Sequence, residues 1–550
     1  MASDWQERAR LFGFLEIEVG QRPPDWLRNA ITKGRVPDAT RQWWEIPDFS
    51  DAVGDIKCVW ELSRFDWVVN LAQRARNSDR ESLDRLNMWL EDWCVRNPPY
   101  RGPNWKCAQE ASIRLLHLAT AGLILGQVRE TSVPLRALVL THLRRIAATM
   151  SYAVAQANNH ATSEAAALFI GGSWLAANGS RAGESLVRRG RQHLEKQVAR
   201  LVEEDGSFSQ YSLNYHRVLL DTLSIVEIWR RHLDLAPFSA LWRKRAAAAT
   251  DWLMTMVEPA NGDAPNLGAN DGARLLQLTA TGYRDFRPSV QLAASLFRDE
   301  RIYGPGAHDD TLEWLDIKPG SRPAAAPRSR LFDQGGYAVL KRGTATAVLR
   351  YPRFHFRPSQ ADALHLDLWI DGENMLRDGG SYSYNRGAHW IDYFGGVASH
   401  NSVQFDDADQ MPRLGRFLLG DWLTTSRRTP LGEDNSSTRF AVGYENRAGH
   451  RHERCVRLTD GRLNVMDEIG GFAHKAVLRW RLAPGLWRLE GETVINGNHS
   501  LSVSSSVPIV RMEIVTGFES RHYLELSEIP VLELEVARAG TLESEYRWAQ

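Results

Sequence analysis

At 550 residues the chain is too long for one ordinary hydrophobic core, so two or more domains are expected. Its 67 Lys and Arg balance 67 Asp and Glu, and a zero net charge gives no argument for a nucleic-acid partner. No stretch approaches the roughly 18 apolar residues of a membrane span, and the N-terminal residues have no apolar core of a signal peptide. The expected location is therefore cytoplasmic for the chain as given, or periplasmic or secreted if an upstream signal has been removed. The four cysteines show no CxxC spacing and need not be disulfide-bonded.

In chain order, residues up to about 315 read as helices. Segments 63–78, 82–95, 105–125, 134–155, 160–177, 180–204, 214–233 and 240–257 carry 3.6-type spacing or Ala/Leu-rich runs. Their connectors hold Gly, Pro, Asn and Asp, and short links between sequential helices predict antiparallel hairpins. A Pro/Gly/Ala-rich stretch near 318–330 is the expected linker. After it, segments 344–351, 364–370, 401–405, 462–467, 476–482 and 531–537 alternate or are β-branched, as strands do. Asp371-Gly372 suits a type I′ hairpin turn. The expectation is a helical domain over 1–317, the linker, and an antiparallel β-sandwich over 331–550.

Two polar clusters stand out in the helical half. Ala157-Asn158-Asn159-His160 precedes an apolar helical run. Adjacent amide and imidazole donors can hold and partly neutralise a carboxylate, the first requirement for removing a carbon-bound proton beside an acid group. Asn158 or Asn159 can equally be a helix cap. Some 50 residues later, the run from Gln210 to His216 supplies the phenol of Tyr215 and a second imidazole. Tyr215 reads either as core or as an acid–base group, and His160 either as a buried, hydrogen-bonded imidazole or as a substrate donor. His216 follows Tyr215 directly and points about 100° away on a helix. Gln210 and Asn214 line a cleft or cap a helix. The chain has 20 Trp, and Trp105, Trp390 and Tyr393 are sugar platforms or packing.

The chain resembles the heparinase II/III family of polysaccharide lyases. The resemblance runs from Asp55-Ile-Lys57 through Trp60-Glu61 to Arg64-Phe65, then Asn97-Pro98-Pro99, Asn104-Trp105, Asn158-Asn159-His160 and Tyr215-His216. It continues in Gly268-Ala-Asn270-Asp271-Gly272, Ala361-Asp362, Arg377-Asp378-Gly379-Gly380 and Ser399-His400-Asn401. It implies an N-terminal α/α toroid, a C-terminal antiparallel β-sandwich and β-elimination at a uronate. In that chemistry Asn159 and His160 neutralise the carboxylate. Tyr215 is the expected acid, with the base role also open to it, although a tyrosine near its reference pKa of about 10 is a poor base at pH 7. The implied partner is an acidic polysaccharide or oligosaccharide, of bacterial exopolysaccharide type rather than heparin itself, with no nucleic acid. The oligomeric state, dimer included, stays open.

The chain departs from the family at Pro358-Ser359-Gln360-Ala361-Asp362, where many members read His-Gly-His-Ala-Asp. The first histidine is treated as catalytic there. The second is treated as a zinc ligand beside an aspartate and a later histidine. The corresponding ligand set here is Gln360, Asp378 and His400, and a neutral amide is a weak zinc donor. No cofactor is expected to be required, with a structural zinc left open. If Asp371-Gly372 is a two-residue turn, His365 faces Asp378 across the hairpin and either replaces the ion or ligates it. For the missing catalytic histidine, Arg357, His355, Tyr384 and His400 are candidates. Arg357 can also bind the substrate acid. Three other readings stand beside the lyase: a C5-uronate epimerase, a hydrolase using carboxylates such as Glu61, Asp271 and Asp362, and a non-catalytic polysaccharide-binding protein.

Overall fold

The computed structural model describes residues 5, 7–47, 49–50 and 53–549. The chain forms two compact units, each assembled from separate stretches of sequence. The first comprises Met1–Val202, Tyr215–Thr250 and Gly272–Ala325; the second comprises Glu203–Asn214, Asp251–Asp271 and Ala326–Gln550.

The first unit is helical. In order come α1 (Lys57–Ser63), α2 (Asp66–Arg76), α3 (Arg80–Arg96), α4 (Ala108–Ile124), α5 (Val133–Ala148), α6 (Met150–Ala155), α7 (Asn159–Ala177), α8 (Arg181–Leu201), α9 (Leu213–His232) and α10 (Ala240–Met256). The expected helix over 134–155 is broken at Thr149, whose φ of −120° and ψ of 15° leave the helical region. The expected helix over 180–204 ends at Leu201 because Val202 turns extended, at φ −107° and ψ 117°.

Burial sorts these helices into two layers. α7 buries sixteen of its nineteen residues, so it is enclosed all round. α8 buries only a stripe through Gly183, Gly190, Leu194, Gln197, Val198 and Leu201, and turns its Arg-rich face to solvent. α2, α4 and α7 pack on one another in sequence, while α3 covers α2, α5 covers α4 and α7, and α8 covers α7. Glycine sets the α7–α8 approach: a Cβ on Gly183 would collide with the Gly172 carbonyl, and one on Gly190 with the Phe169 backbone. Between the inner helices runs an irregular segment, residues 272–283. The Leu275 carbonyl meets His117 Nε2 of α4 at 2.8 Å, Leu276 N–H reaches Asp221 of α9 at 3.4 Å, and the Leu278 carbonyl accepts from Gln73 of α2 at 3.1 Å. No helix among the described residues is long and apolar enough to cross a membrane.

The second unit is built on antiparallel sheets. Strands Arg330–Phe332, Tyr337–Arg342, Ala345–Arg350, Leu366–Ile370 and Glu373–Leu376 form a five-stranded meander in chain order. A four-stranded sheet runs Val403–Phe405, Ala476–Arg481, Ser527–Val536, Ile509–Glu519. The two are stitched by the Leu376–Leu482 bridge and by Ala483 N–H to the Met375 carbonyl at 2.9 Å. A nine-stranded sheet includes Ser437–Glu445, Arg451–Thr459, Arg462–Gly470 and Gly540–Trp548. Along Arg451–Thr459 every second residue is buried, the period of a strand with one face on the core. That core joins Leu349, Leu366 and Leu368 of the meander to Phe440, Val456 and Val465 of the large sheet and Leu478 and Leu532 of the small one.

Candidate active site

The N-terminal ends of α7 and α9 carry the first cluster. Asn158 is the cap: its Oδ1 accepts the His160 N–H at 3.0 Å, which leaves Asn159 as the first helical residue. His160 turns Nδ1 to Glu164 Oε1, 3.3 Å away and one turn on. Glu164 is buried, and burial raises its carboxyl pKa against the pull of His160. With Nδ1 occupied, Nε2 is the nitrogen left for a ligand, and the His160 side chain keeps 22% of its surface open. The i, i+4 spacing of His160 and Glu164 was readable in the sequence, but the carboxylate partner was missed.

Tyr215 lies on α9, which touches α7 further along. Ser163 Oγ of α7 donates to Gln109 Oε1 of α4 at 2.9 Å, and further along Gly122 of α4 meets Trp174 of α7, so these helices run parallel. α8 returns antiparallel to α7, and α9 touches α7 near Trp229. Trp229 of α9 donates its indole N–H to Ser173 Oγ of α7 at 2.9 Å. Tyr215 is buried in the first turn of α9. His216 points elsewhere: its Nε2 meets the Ala249 carbonyl at 2.8 Å, and burial lowers its pKa to about 4.

Other expected residues take packing positions. Trp105 is 1% exposed, gives its indole N–H to the Asn97 carbonyl at 3.0 Å, and lies against Trp93 and His142. Its face is closed to a sugar, which corrects the platform reading. A polar cavity of about 270 Å³ in the first unit is lined by Glu61, Arg64, Asp66, Asn70 and Arg274; of the residues expected to carry chemistry it holds Glu61, a carboxylate of the hydrolase reading, and none of Asn159, His160 and Tyr215. Burial raises Glu61 there to about 7 despite the neighbouring Arg64.

In the second unit Gln210 is half-buried and Asn214 buried. Tyr384 is half-buried, with its ring against Phe417 and Tyr523. Trp390 is half-buried among Tyr382, Phe394 and Phe518. The Tyr393 hydroxyl accepts the Phe518 N–H at 2.9 Å and an Arg481 N–H at 3.1 Å, a packing role. Arg357 is exposed. Asp362 lies 3.6 Å from Arg350.

His365, Asp378 and His400 converge, with one ligand atom from each within 4.8 Å of the others and all three buried. Asp371 and Gly372 take φ of 50° and 83°, and Ile370 pairs with Glu373, as a type I′ hairpin requires. The register then slips. Trp369 pairs with Asn374 but Leu368 pairs with Leu376, so an extra residue breaks the expected facing of 365 and 378. The side chains still meet, with His365 Nε2 3.6 Å from Asp378 Oδ2.

Two imidazoles and a carboxylate are the right donor types for zinc. Their hydrogens are not placed for it. Asn401 N–H donates to His365 Nδ1 at 2.9 Å, so a neutral His365 keeps its hydrogen on Nε2, facing Asp378 and, at 3.5 Å, Asp367. His400 Nδ1 lies 2.7 Å from Asp378 Oδ2, where a carboxylate requires an N–H. Burial works to raise the Asp378 pKa, but His400 and His365 outweigh it and hold it below the usual range; burial likewise opposes charge on His400, and Asp378 outweighs it in the raising direction. Gln360, the third expected ligand, spends its amide N–H groups on the Gly380 and Phe394 carbonyls at 2.8 and 3.1 Å. As arranged, the residues form a hydrogen-bonded cluster and do not fit a resident zinc. His400 is also 0% exposed, so it cannot touch a substrate, which corrects its expected catalytic role.

Comparisons with known proteins agree with this architecture. The family model for the heparinase II/III N-terminus matches residues 35–287, and that for the heparinase II/III-like C-terminal domain matches residues 324–525. No curated protein sequence matches. Among solved structures, heparinase III aligns with 17% identity over 93% of this chain and 81% of its own, at a TM-score of 0.66. A mutant heparan sulfate lyase from Pedobacter heparinus aligns with 16% identity over 96% and 86%, at 0.61. The Streptomyces coelicolor A3 chondroitin AC lyase, solved with chondroitin sulphate, aligns with 13% identity over 88% and 74%, at 0.56. At these identities the likeness establishes the fold, an α/α toroid and an antiparallel β-sandwich, as the sequence led one to expect.

Proposed function

Because this chain belongs to the heparinase II/III family, we propose that it is a polysaccharide lyase cleaving a uronate-containing polysaccharide by β-elimination. The observation that carries the reading is the pairing at the start of α7 of Asn159 with His160, whose Nδ1 faces the buried Glu164 at 3.3 Å while the side chain keeps 22% of its surface open. The C5 proton of a uronate is weakly acidic while the neighbouring carboxylate bears full charge. The Asn159 amide and the outward nitrogen of His160 hold that carboxylate, and the start of α7 adds positive potential from its backbone N–H groups. Negative charge then spreads into the acid group as C5 loses its proton. A general base takes the C5 proton as the C5–H pair becomes the C4=C5 double bond, the C4–O4 bond breaks, and Tyr215 delivers a proton to the leaving O4. The chemistry uses no zinc: the His365–Asp378–His400 cluster braces the sandwich by hydrogen bonds.

The test is ultraviolet absorbance during incubation with a panel of acidic polysaccharides, comparing wild type with Tyr215→Phe. Absorbance of a 4,5-unsaturated uronate, present in the wild type and absent in the variant, is expected. Full activity in Tyr215→Phe would sink the assignment. Solvent deuterium entering the polymer without cleavage would turn the reading to an epimerase.

A further inference from the structure

The cavity of about 270 Å³ in the first unit takes no part in the proposed elimination, and every residue lining it belongs to that unit. Its mouth reaches solvent at Asn77 and Ala280, both exposed. Its deepest charges are fully engaged. Arg64 donates to Glu61 and, at 2.8 and 2.9 Å, to both oxygens of Glu110, while Glu61 Oε2 accepts the Phe12 N–H at 3.2 Å. We propose that this cavity binds one neutral sugar ring, held between Asp66 and Arg274 and resting on Trp314.

Asp66 and Arg274 are the two cavity charges left with hydrogen-bonding capacity. Arg274 makes no ion pair among the described residues. Its guanidinium donates only to the Thr281 and Gly282 carbonyls and the Thr279 and Thr281 hydroxyls, all at 3.3 to 3.4 Å. Asp66 Oδ2 accepts one N–H, from Gln277 at 3.3 Å. His117 Nδ1 lies 3.3 Å from Asp66 Oδ1, but the Arg64 carbonyl already engages that nitrogen at 2.7 Å. Good N–H···O bonds cluster near about 2.9 Å, so these contacts are weak ones. Burial raises the Asp66 pKa against the pull of His117, Arg64 and Arg274, so its carboxylate gains from any further donor.

The chemistry of the pair selects the ligand. A guanidinium only donates and a carboxylate only accepts, whereas a hydroxyl does both. Neighbouring hydroxyls on a sugar ring can therefore accept from Arg274 and donate to Asp66 together. An added anion would meet Asp66 and Glu61, and an added cation would meet Arg64 and Arg274, so the mixed lining favours a neutral molecule. Trp314 supplies an apolar wall. Arg76 lies over its ring at 5.9 Å and donates to its carbonyl at 3.2 Å and to Asp316 at 3.2 Å, which holds the indole in place. A broad aromatic face suits the C–H face of a pyranose. Ligand pockets run upward from roughly 300 Å³, so a cavity of about 270 Å³ suits one ring and not a stretch of polymer.

The experiment titrates the full chain calorimetrically with D-glucose, D-galactose and D-mannose, with D-glucuronate as the acidic control. At least one hexose should bind at one site per chain, with Kd on the order of 1–10 mM, and glucuronate should bind about tenfold more weakly or worse. Asp66→Asn and Arg274→Gln should each weaken the hexose about tenfold or more, with melting curves showing that the variants are folded. Tyr215→Phe should bind it as wild type does. If both cavity variants fail to fold, fluorine NMR of the fluorotryptophan-labelled wild type decides: the Trp314 resonance, assigned by its loss in Trp314→Phe, should shift as hexose is added. Absence of saturation by all three hexoses, tighter binding of glucuronate, unchanged affinity in folded Asp66→Asn, an unmoved Trp314 resonance, or loss of binding in Tyr215→Phe each overturns the site. None of these readouts uses elimination, so failure here leaves the lyase proposal standing.

Discussion

His160–Glu164 and His400–Asp378 are the same two functional groups placed in opposite surroundings. In the first the carboxylate is buried and the imidazole half open; in the second both are sealed. A carboxylate can orient a ring for chemistry only if the other nitrogen reaches solvent. Where both groups are enclosed, the same hydrogen bond becomes part of the core. Family resemblance alone pointed to both histidines; burial separates them.

The sharpest test on the open side of that contrast is to remove the phenol proposed to work beside His160. Tyr215→Phe deletes one hydroxyl and should lower kcat about 10²–10⁴-fold, with the unfolding midpoint in urea close to wild type. Next in size is Asp378→Asn in the sealed cluster. It leaves His400 and His365 without their carboxylate and should cost about 3–5 kcal/mol of stability. Turnover per folded molecule should be unchanged. If turnover instead collapsed in a fully folded variant, the structural role assigned to the cluster would be wrong.

Much of the fold was legible because the periods changed from helical to strand spacing within one chain, and because Asp371-Gly372 carries its turn chemistry in two residues. The breaks were less visible. Nothing in the sequence around Thr149 announces that the helix stops there, and the slip at Leu368/Leu376 is one residue in a hairpin whose turn was read correctly. The site was partly legible for the same reason. Asn158, Asn159 and His160 are contiguous, so their cluster can be read locally, whereas Asp66 and Gln277 of the proposed sugar cavity are separated by 211 residues and meet only through tertiary structure. Trp105 shows the reverse error: composition suggested a sugar platform where Trp93 and His142 had already claimed the ring.

Buried neutral histidines extend the comparison to acid stability. Burial, reinforced by Arg114, lowers His142 to about 3, and burial lowers His216 to about 4. Both lie below the unfolded value of about 6.5. Below that pH the unfolded chain binds protons that the fold refuses. The stabilisation is therefore complete above about 6.5 and is lost as pH falls, by about 1.4 kcal/mol per unit for each histidine, until the folded values are reached. Urea denaturation across pH 4 to 7 should show this slope, and His216→Gln should remove one proton's share of it. An unchanged slope in that variant would mean that His216 is already charged in the fold.

The smallest effect is the most discriminating for the open pair. Glu164→Gln keeps a hydrogen-bonding oxygen near His160 Nδ1 but removes its charge. Hydrogen bonds to charged groups contribute about 1.5–3 kcal/mol against about 1 for neutral ones, so the orientation of His160 should weaken by roughly 1 kcal/mol, about fivefold in rate. The loss should fall on kcat/KM, because the ring is the group that holds the substrate acid. Stability should rise slightly or stay level, since a buried carboxyl whose pKa is already raised by burial is replaced by a neutral amide. A variant that lost stability and kept its kcat/KM would place Glu164 with Asp378, as a brace, and would leave His160 to be oriented by something else.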